Sequence, residues 1–190
     1  MVWIPVVVLA ALVLLVIVVI VIYNTLIRLK VQSENAWADI DVQLKRRHDL
    51  VPNLIETVKG YAGHEKQTFE AVITARNRAM TATTLPAKAE AEGLLAQSLK
   101  SLFALAEAYP QLRAVESFTQ LQGSLNQIEE AVQNARRYYN AVVRDLNTKI
   151  QEVPSNFVAN SFNFRPREFF EITEAAERAV PKVSFEPVAR

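Results

Sequence analysis

Cysteine is absent from this chain, histidine occurs only twice and glycine only four times in 190 residues. Without cysteine there can be no disulfide, no thiol nucleophile and no thiolate metal site. The two histidines are His48 and His64, and the pair His64 and Glu65 is not followed by a second histidine four residues after the first. That excludes the zinc-protease helix at its first ligand count. The glycines are isolated and no strand precedes one, so a phosphate-cradling loop is excluded as well. Their scarcity, against a usual share of about 7%, also leaves few turns in the chain. Charge of one sign is missing too. Twenty-one basic residues face 20 acidic ones, for a net charge of +1, so no global field attracts nucleic acid, which is not an expected partner.

What is present is one long apolar run. From Val6 to Ile22 the chain reads VVVLAALVLLVIVVIVI with no polar side chain. About 22 residues at about 1.5 Å per residue give roughly 33 Å, the thickness of a bilayer hydrocarbon core with slight tilt. The run is too long for a signal peptide, and Ile22, Tyr23 and Asn24 do not form a cleavage pattern. A retained membrane-spanning helix is expected, with Trp3 and Tyr23 at its two interfaces. Arg28 and Lys30 follow it, with Lys45, Arg46 and Arg47 further on, whereas the amino-terminal flank carries no Lys or Arg. The positive-inside rule then predicts a single-pass protein with its amino terminus outside and its domain in the cytoplasm.

Ala, Leu, Glu, Gln, Lys and Arg dominate beyond the run and favour a few long helices. No breaker separates Tyr23 from Val51, so the spanning helix is expected to continue out of the bilayer. Trp37, Ile40, Leu44, Val51, Ile55, Val58 and Ala62 form one apolar stripe. Pro52 interrupts it and predicts a kink or break near Leu50 and Val51, and Gly60 and Gly63 end the element. A second helix is expected from His64 to about Ala82. A third runs from about Ala87 to Tyr109, begins with the help of Pro86 and stops at Pro110. The longest pattern, Phe118, Leu121, Leu125, Ile128, Val132, Ala135, Tyr139, Val142, Leu146, Ile150 and Val153, predicts a helix of about 35 residues that Pro154 ends. Its length suits an antiparallel bundle or a coiled-coil neighbour.

The fold class is therefore all-α, with one N-terminal transmembrane helix followed by a long-helix antiparallel bundle. We divide it into residues 1–27 as anchor and flank, 28–154 as bundle, and 155–190 as a tail. The tail holds six of the nine phenylalanines, Phe157, Phe162, Phe164, Phe169, Phe170 and Phe185. A short helix is expected near Glu168 to Val180, ahead of an extended end. Packing over an end of the bundle is the favoured reading of the tail, and a hydrophobic patch for a partner or the membrane surface is the alternative.

The densest basic run is KRRHDL, Lys45 to Leu50. It is expected on a solvated face with ion pairs to a neighbouring helix, against the alternative of anionic headgroup binding. Carboxylate pairs such as Asp39 with Asp41 or Glu129 with Glu130 are common on solvated helix faces and make no acid/base site by themselves. A hydrolase built on His48 or His64 is the weakest reading.

Several blocks together resemble the LemA family of bacterial membrane-anchored proteins: YNTLIRLK after the apolar run, AWADIDVQLKRRHDLVPNLIETVKGYAGHE at 36–65, EAYPQLRA at 107–114, ARRYYNAVVRDLN at 135–147, and the Pro, Ser, Asn, Phe run at 154–157. The resemblance is weakest after Phe164. It implies one amino-terminal membrane helix, an all-helical bundle and a location in the bacterial inner membrane. It brings no catalytic constellation, so no active-site residue is carried over. We expect a non-enzymatic scaffold or interaction protein without a cofactor or metal. Its expected partners are the lipid bilayer and other copies of itself or other membrane proteins. The alternative is an anionic-lipid or curvature-binding module. Candidate contact residues for lipid or partner are Arg28, Lys30, Lys45, Arg46, Arg47, Phe162, Phe164, Phe169 and Phe170.

Overall fold

The computed structural model describes residues 3–171 of the chain. They form six helices and no strand: α1 (Trp3–Ala62), α2 (Lys66–Thr81), α3 (Leu85–Ala108), α4 (Pro110–Arg113), α5 (Glu116–Gln151) and α6 (Ser155–Ser161). At 60 residues, α1 is about 90 Å long. Its first part is apolar on every side and wholly uncovered by the protein, and it is long and apolar enough to cross a membrane. From Leu26 onward a single face is buried, through Ser33, Ala36, Ile40, Leu44, Arg47, Val51, Leu54, Val58 and Ala62. After the first seven-residue step, each step is three or four residues. One stripe of a continuous helix thus faces the bundle for more than six turns.

Pro52 lies inside α1 and does not interrupt it, so the break that was one of the two expectations at Leu50 and Val51 does not occur. Proline has no N–H to offer the carbonyl four residues earlier, which here belongs to His48. Arg76, reaching across from α2, donates its Nε–H to that carbonyl at 2.7 Å. The group that proline orphans is satisfied from a neighbouring helix, and the ring itself lies on the exposed side.

Around this axis the remaining helices close a bundle. Helices α2 and α3 form a hairpin, with the Thr84 hydroxyl accepting from the Ala87 amide at 3.3 Å and Pro86 in the first turn of α3. His64 lies in the turn before α2 and is not in the helix expected to start there; Glu65 occupies the N-cap. Pro110 ends α3 as expected and also opens the one-turn α4, which buries Leu112. Helix α5 has 36 residues, close to the expected length. It ends at Gln151, so Val153, expected as the last member of its stripe, is 74% exposed.

Helices α1 and α5 run antiparallel, as the pairings Leu26 with Leu146, Trp37 with Tyr139 and Arg47 with Glu129 show. The core is stacked in three layers along them. The layer farthest from the apolar run joins Val51, Leu54 and Val58 to Phe69, Val72, Leu95, Leu102 and Phe118. The middle layer packs Ala36, Ile40 and Leu44 on Val132, Tyr139, Val143 and Phe170. The third joins Leu26 to Leu146, Ile150, Val158 and Ala159, with Val19, Ile22 and Tyr23 against it. Truncating any of these buried leucines to Ala would cost about 2–5 kcal/mol.

Helix α6 has no counterpart in the sequence reading. It buries Val158 and Ala159 against α1 and turns Phe157 outward. Its end is a Schellman turn, in which Phe164 N–H bonds Ala159 O at 2.9 Å and Asn163 N–H bonds Asn160 O at 3.3 Å. Asn163 takes the left-handed conformation this motif requires, with φ 61°, which asparagine tolerates better than most residues. The chain then runs without helix through residues 164–171. The helix expected from Glu168 does not begin there, and the rest of that expected segment, with Phe185 and the extended end, lies outside the described residues.

Candidate functional site

Two places in the fold gather polar or aromatic groups beyond what packing requires. The first is inside the bundle. Arg47 falls in register with Leu44 and Val51 on the buried stripe of α1, and Glu92 falls in register with Leu95 and Leu99 on α3. They meet at 3.2 Å, with Arg47 2% and Glu92 0% exposed. The other Glu92 oxygen lies 2.8 Å from His48 Nε2, and the second Arg47 nitrogen pairs with Glu129 of α5. One guanidinium thus joins α1, α3 and α5. Ion pairs with a neighbouring helix were the favoured reading of this basic run, but a solvated face was not the setting. Arg47 is buried and drops out as a lipid or partner contact. Both Glu92 oxygens are engaged inside the core, so the carboxylate holds helices in register and is not free to act on a substrate.

The second place is where α1 leaves its apolar run. There α6 and the chain after it wrap the helix. Phe162 meets the Tyr23 ring at a tilt of 58° with centroids 4.8 Å apart, and Phe164 meets the same ring edge-on at 5.9 Å. Tyr23, Lys30, Phe162, Phe164, Arg165 and Arg167 line a cleft of about 480 Å³. Arg165 is held by Asn163 Oδ1 at 3.0 Å, and Arg167 pairs with Glu34 at 2.7 Å. The Lys30 ammonium has no hydrogen-bond or acidic partner among the described residues. Phe162 is 55% exposed and Phe164 half-buried.

The segment that builds this cleft is pinned by two asparagines of α5. Asn147 donates to Arg167 O and accepts from Arg167 N, both at 2.8 Å. Asn140 does the same with Phe170 O at 3.2 Å and Phe170 N at 2.9 Å. Seven helical residues span about 10.5 Å, and three extended residues about 10 Å. The two side-chain amides therefore match the spacing of the backbone amides they hold, as a neighbouring strand would. Tyr139 adds a hydrogen bond from its hydroxyl to Glu168 O at 3.0 Å. Burial raises the pKa of that phenol; Arg167 opposes the shift and Glu168 adds to it.

Of the candidate contact residues, the structure brings Lys30, Phe162 and Phe164 together in the cleft and leaves Arg28 exposed on α1 nearby. Lys45 and Arg46 lie elsewhere on α1, exposed, with Arg46 hydrogen-bonded to Gln43 at 3.2 Å beside a groove between α1 and α5. Phe169 is 45% exposed against Arg144 and Asn147. Phe170 is fully buried, edge-on to Trp37 at 5.2 Å, and so is a core residue and not a contact for lipid or partner. The tail was expected to pack over an end of the bundle; Phe170 packs instead in its middle layer, and Phe164 is partly buried beside Leu26 and Tyr23. Sequence reasoning missed Glu92, Asn140, Asn147 and Arg167, and took Glu129 only as one of a carboxylate pair on a solvated helix face, not as a partner of Arg47. For Glu92 a signal existed, a charge at a core position of a leucine stripe. For the asparagines none did, because their partners are backbone groups distant in sequence.

The chain matches the model of the LemA family over residues 36–185. The match extends beyond Phe164, where the sequence resemblance was weakest. Among curated proteins it is similar to magnetosome protein MamQ 2 of Paramagnetospirillum magneticum, 22% identical over 184 residues, covering 83% of this chain and 68% of that protein. It is also similar to protein LemA of Metamycoplasma hominis, 23% identical over 155 residues, covering 80% of this chain and 69% of that one. A family model covering most of the chain, over a helical bundle fused to a long apolar helix, identifies this protein as a member of the LemA family.

Proposed function

We propose that this protein is a non-enzymatic, membrane-anchored scaffold, a helical bundle carried on a stiff stalk that spans the bilayer. The observation that carries this reading is the unbroken 60-residue α1, whose apolar part is bare and whose remainder is the central strut of the bundle. A helix continuous across the membrane surface fixes the height and orientation of the domain, which a flexible tether would not. The wrapping of Val19, Ile22, Tyr23 and Leu26 by α6 and its flanks stiffens the junction further. The domain faces the cytoplasm of a bacterial inner membrane, in keeping with the cations at Arg28 and Lys30.

Self-association belongs to the same proposal but needs a different surface from the one the sequence suggested. The α5 stripe is covered by α1 and α6 within the chain. Copies, or other membrane proteins, would meet through the bare apolar run and the outer face of α1 around Val42, which is 56% exposed. Two measurements on full-length protein in lipid nanodiscs test the reading. Hydrogen exchange should show protected amides at Asn24 and Thr25, and rapid exchange there would remove the stiff stalk. Light scattering in detergent and in nanodiscs should show more than one copy per particle. A strict monomer at micromolar concentration in both would remove self-association.

A further inference from the structure

We infer that the cleft between α1 and the chain after α6 is a binding site for the phosphate headgroup of an anionic phospholipid. The inference rests on the membrane-spanning reading of α1 and names a ligand for a site that reading leaves unassigned. Twenty residues from Trp3 to Ile22 span about 30 Å, the hydrocarbon thickness, and the headgroup layer adds about 5–7 Å. Tyr23 and Ile27 then lie in that layer. Lys30 lies about 12 Å beyond Ile22, but helical side chains lean toward the amino terminus, so its long stem carries the ammonium back toward the bilayer.

The surroundings support the level. Val153, Phe157 and Phe162 are 74%, 67% and 55% exposed, Phe157 on α6 and the other two flanking it, next to the end of the apolar run. Apolar groups bare on one rim of the domain, adjoining a bare apolar helix, are suited to the boundary between acyl chains and headgroups. The charge is also suitable. Arg167 is offset by Glu34, which leaves Lys30 and Arg165 as two cations lining the cleft with no acidic partner among the described residues. Asn163 holds Arg165 in place, and a guanidinium presents paired donors to phosphate oxygens. Tyr23, Phe162 and Phe164 supply an apolar wall for the glycerol and upper acyl segment. The basic run at Lys45 and Arg46 does not take this role. Along an unbroken α1 it stands about 35 Å beyond Ile22, several screening lengths from the surface.

The test uses full-length protein in phosphatidylcholine nanodiscs containing spin-labelled phosphatidylglycerol. An immobilised lipid population saturating near one per chain is expected, absent when the label is on phosphatidylcholine. Each cation at an anionic surface contributes roughly fivefold, so Lys30→Gln with Arg165→Gln should weaken this binding roughly 25-fold. Both residues are exposed, and their variants should fold normally. Lys45→Gln with Arg46→Gln should leave the population unchanged. Equal immobilisation of the neutral lipid, or no loss in the first double variant, would overturn the proposal. Displacement by soluble glycerol phosphate at concentrations equal to the lipid would overturn the headgroup assignment in favour of a free phosphate ester. Alkaline carbonate extraction separates the two levels. Protein stripped from vesicles would overturn the spanning reading and this inference together, whereas retained protein without lipid selectivity overturns this inference alone.

Discussion

Replacing Arg76 by Met tests how α1 survives Pro52. The substitution keeps the aliphatic stem and removes the Nε–H that reaches His48 O at 2.7 Å. A hydrogen bond from a charged donor contributes about 1.5–3 kcal/mol, and a carbonyl left without a partner away from water costs a similar amount. We expect Arg76→Met to destabilise the protein by about 2–3 kcal/mol. At about 2–4 °C per kcal/mol for a domain of this size, that lowers the melting temperature by roughly 4–12 °C. In a Pro52→Ala background the new alanine amide can take the His48 carbonyl as an ordinary helical bond. There Arg76→Met should cost less than about 1 kcal/mol, a coupling of at least about 1–2 kcal/mol between residues 52 and 76. The assay is thermal melting of the full chain in one detergent, followed by near-ultraviolet circular dichroism, in which Trp37 packed between Tyr139 and Phe170 reports the fold. Equal losses in the two backgrounds would show that Arg76 stabilises α1 by some route other than the carbonyl that proline frees.

Three further outcomes follow from the same packing. Arg47→Met leaves Glu92 buried without its guanidinium and should cost about 3–5 kcal/mol; adding Glu92→Gln should restore part of that loss, and a double variant worse than the single would refute the buried pair. Burial raises the Tyr139 pKa, so the native state holds the phenolic proton more tightly than the unfolded chain. Stability is then complete below about pH 10 and falls as pH rises from there through the native value. Tyr139→Phe should flatten that alkaline decline in pH-dependent melts while losing about 1 kcal/mol near neutrality with the bond to Glu168 O. Asn147→Ala deletes both bonds to the Arg167 backbone, so limited trypsin digestion should cut faster after Arg167, and an unchanged rate would show that Asn140, Tyr139 and the buried Phe170 secure the segment without Asn147.

The sequence by itself determined the helices and the membrane-length run, because both are written in local terms. Apolar residues at steps of three and four set α1, α2, α3 and α5 to within a few residues, and an uninterrupted apolar stretch has only one inexpensive conformation in lipid. Local reasoning went wrong where a distant group supplied what the local chain lacked. Pro52 looked like a break because the donor that repairs it, Arg76, arrives from the next helix. Arg47 looked solvated because its acids, Glu92 and Glu129, lie 45 and 82 residues away. The segment 164–171 has no periodicity of its own, and its extended path exists because Asn140 and Asn147 hold its backbone and Phe170 fills the gap beside Trp37. The cleft beside the apolar run is likewise a tertiary product. Lys30 and Arg165 are 135 residues apart in the chain, and only the return of the chain along α5, around Pro154 and back past Tyr23, brings their charges to one place.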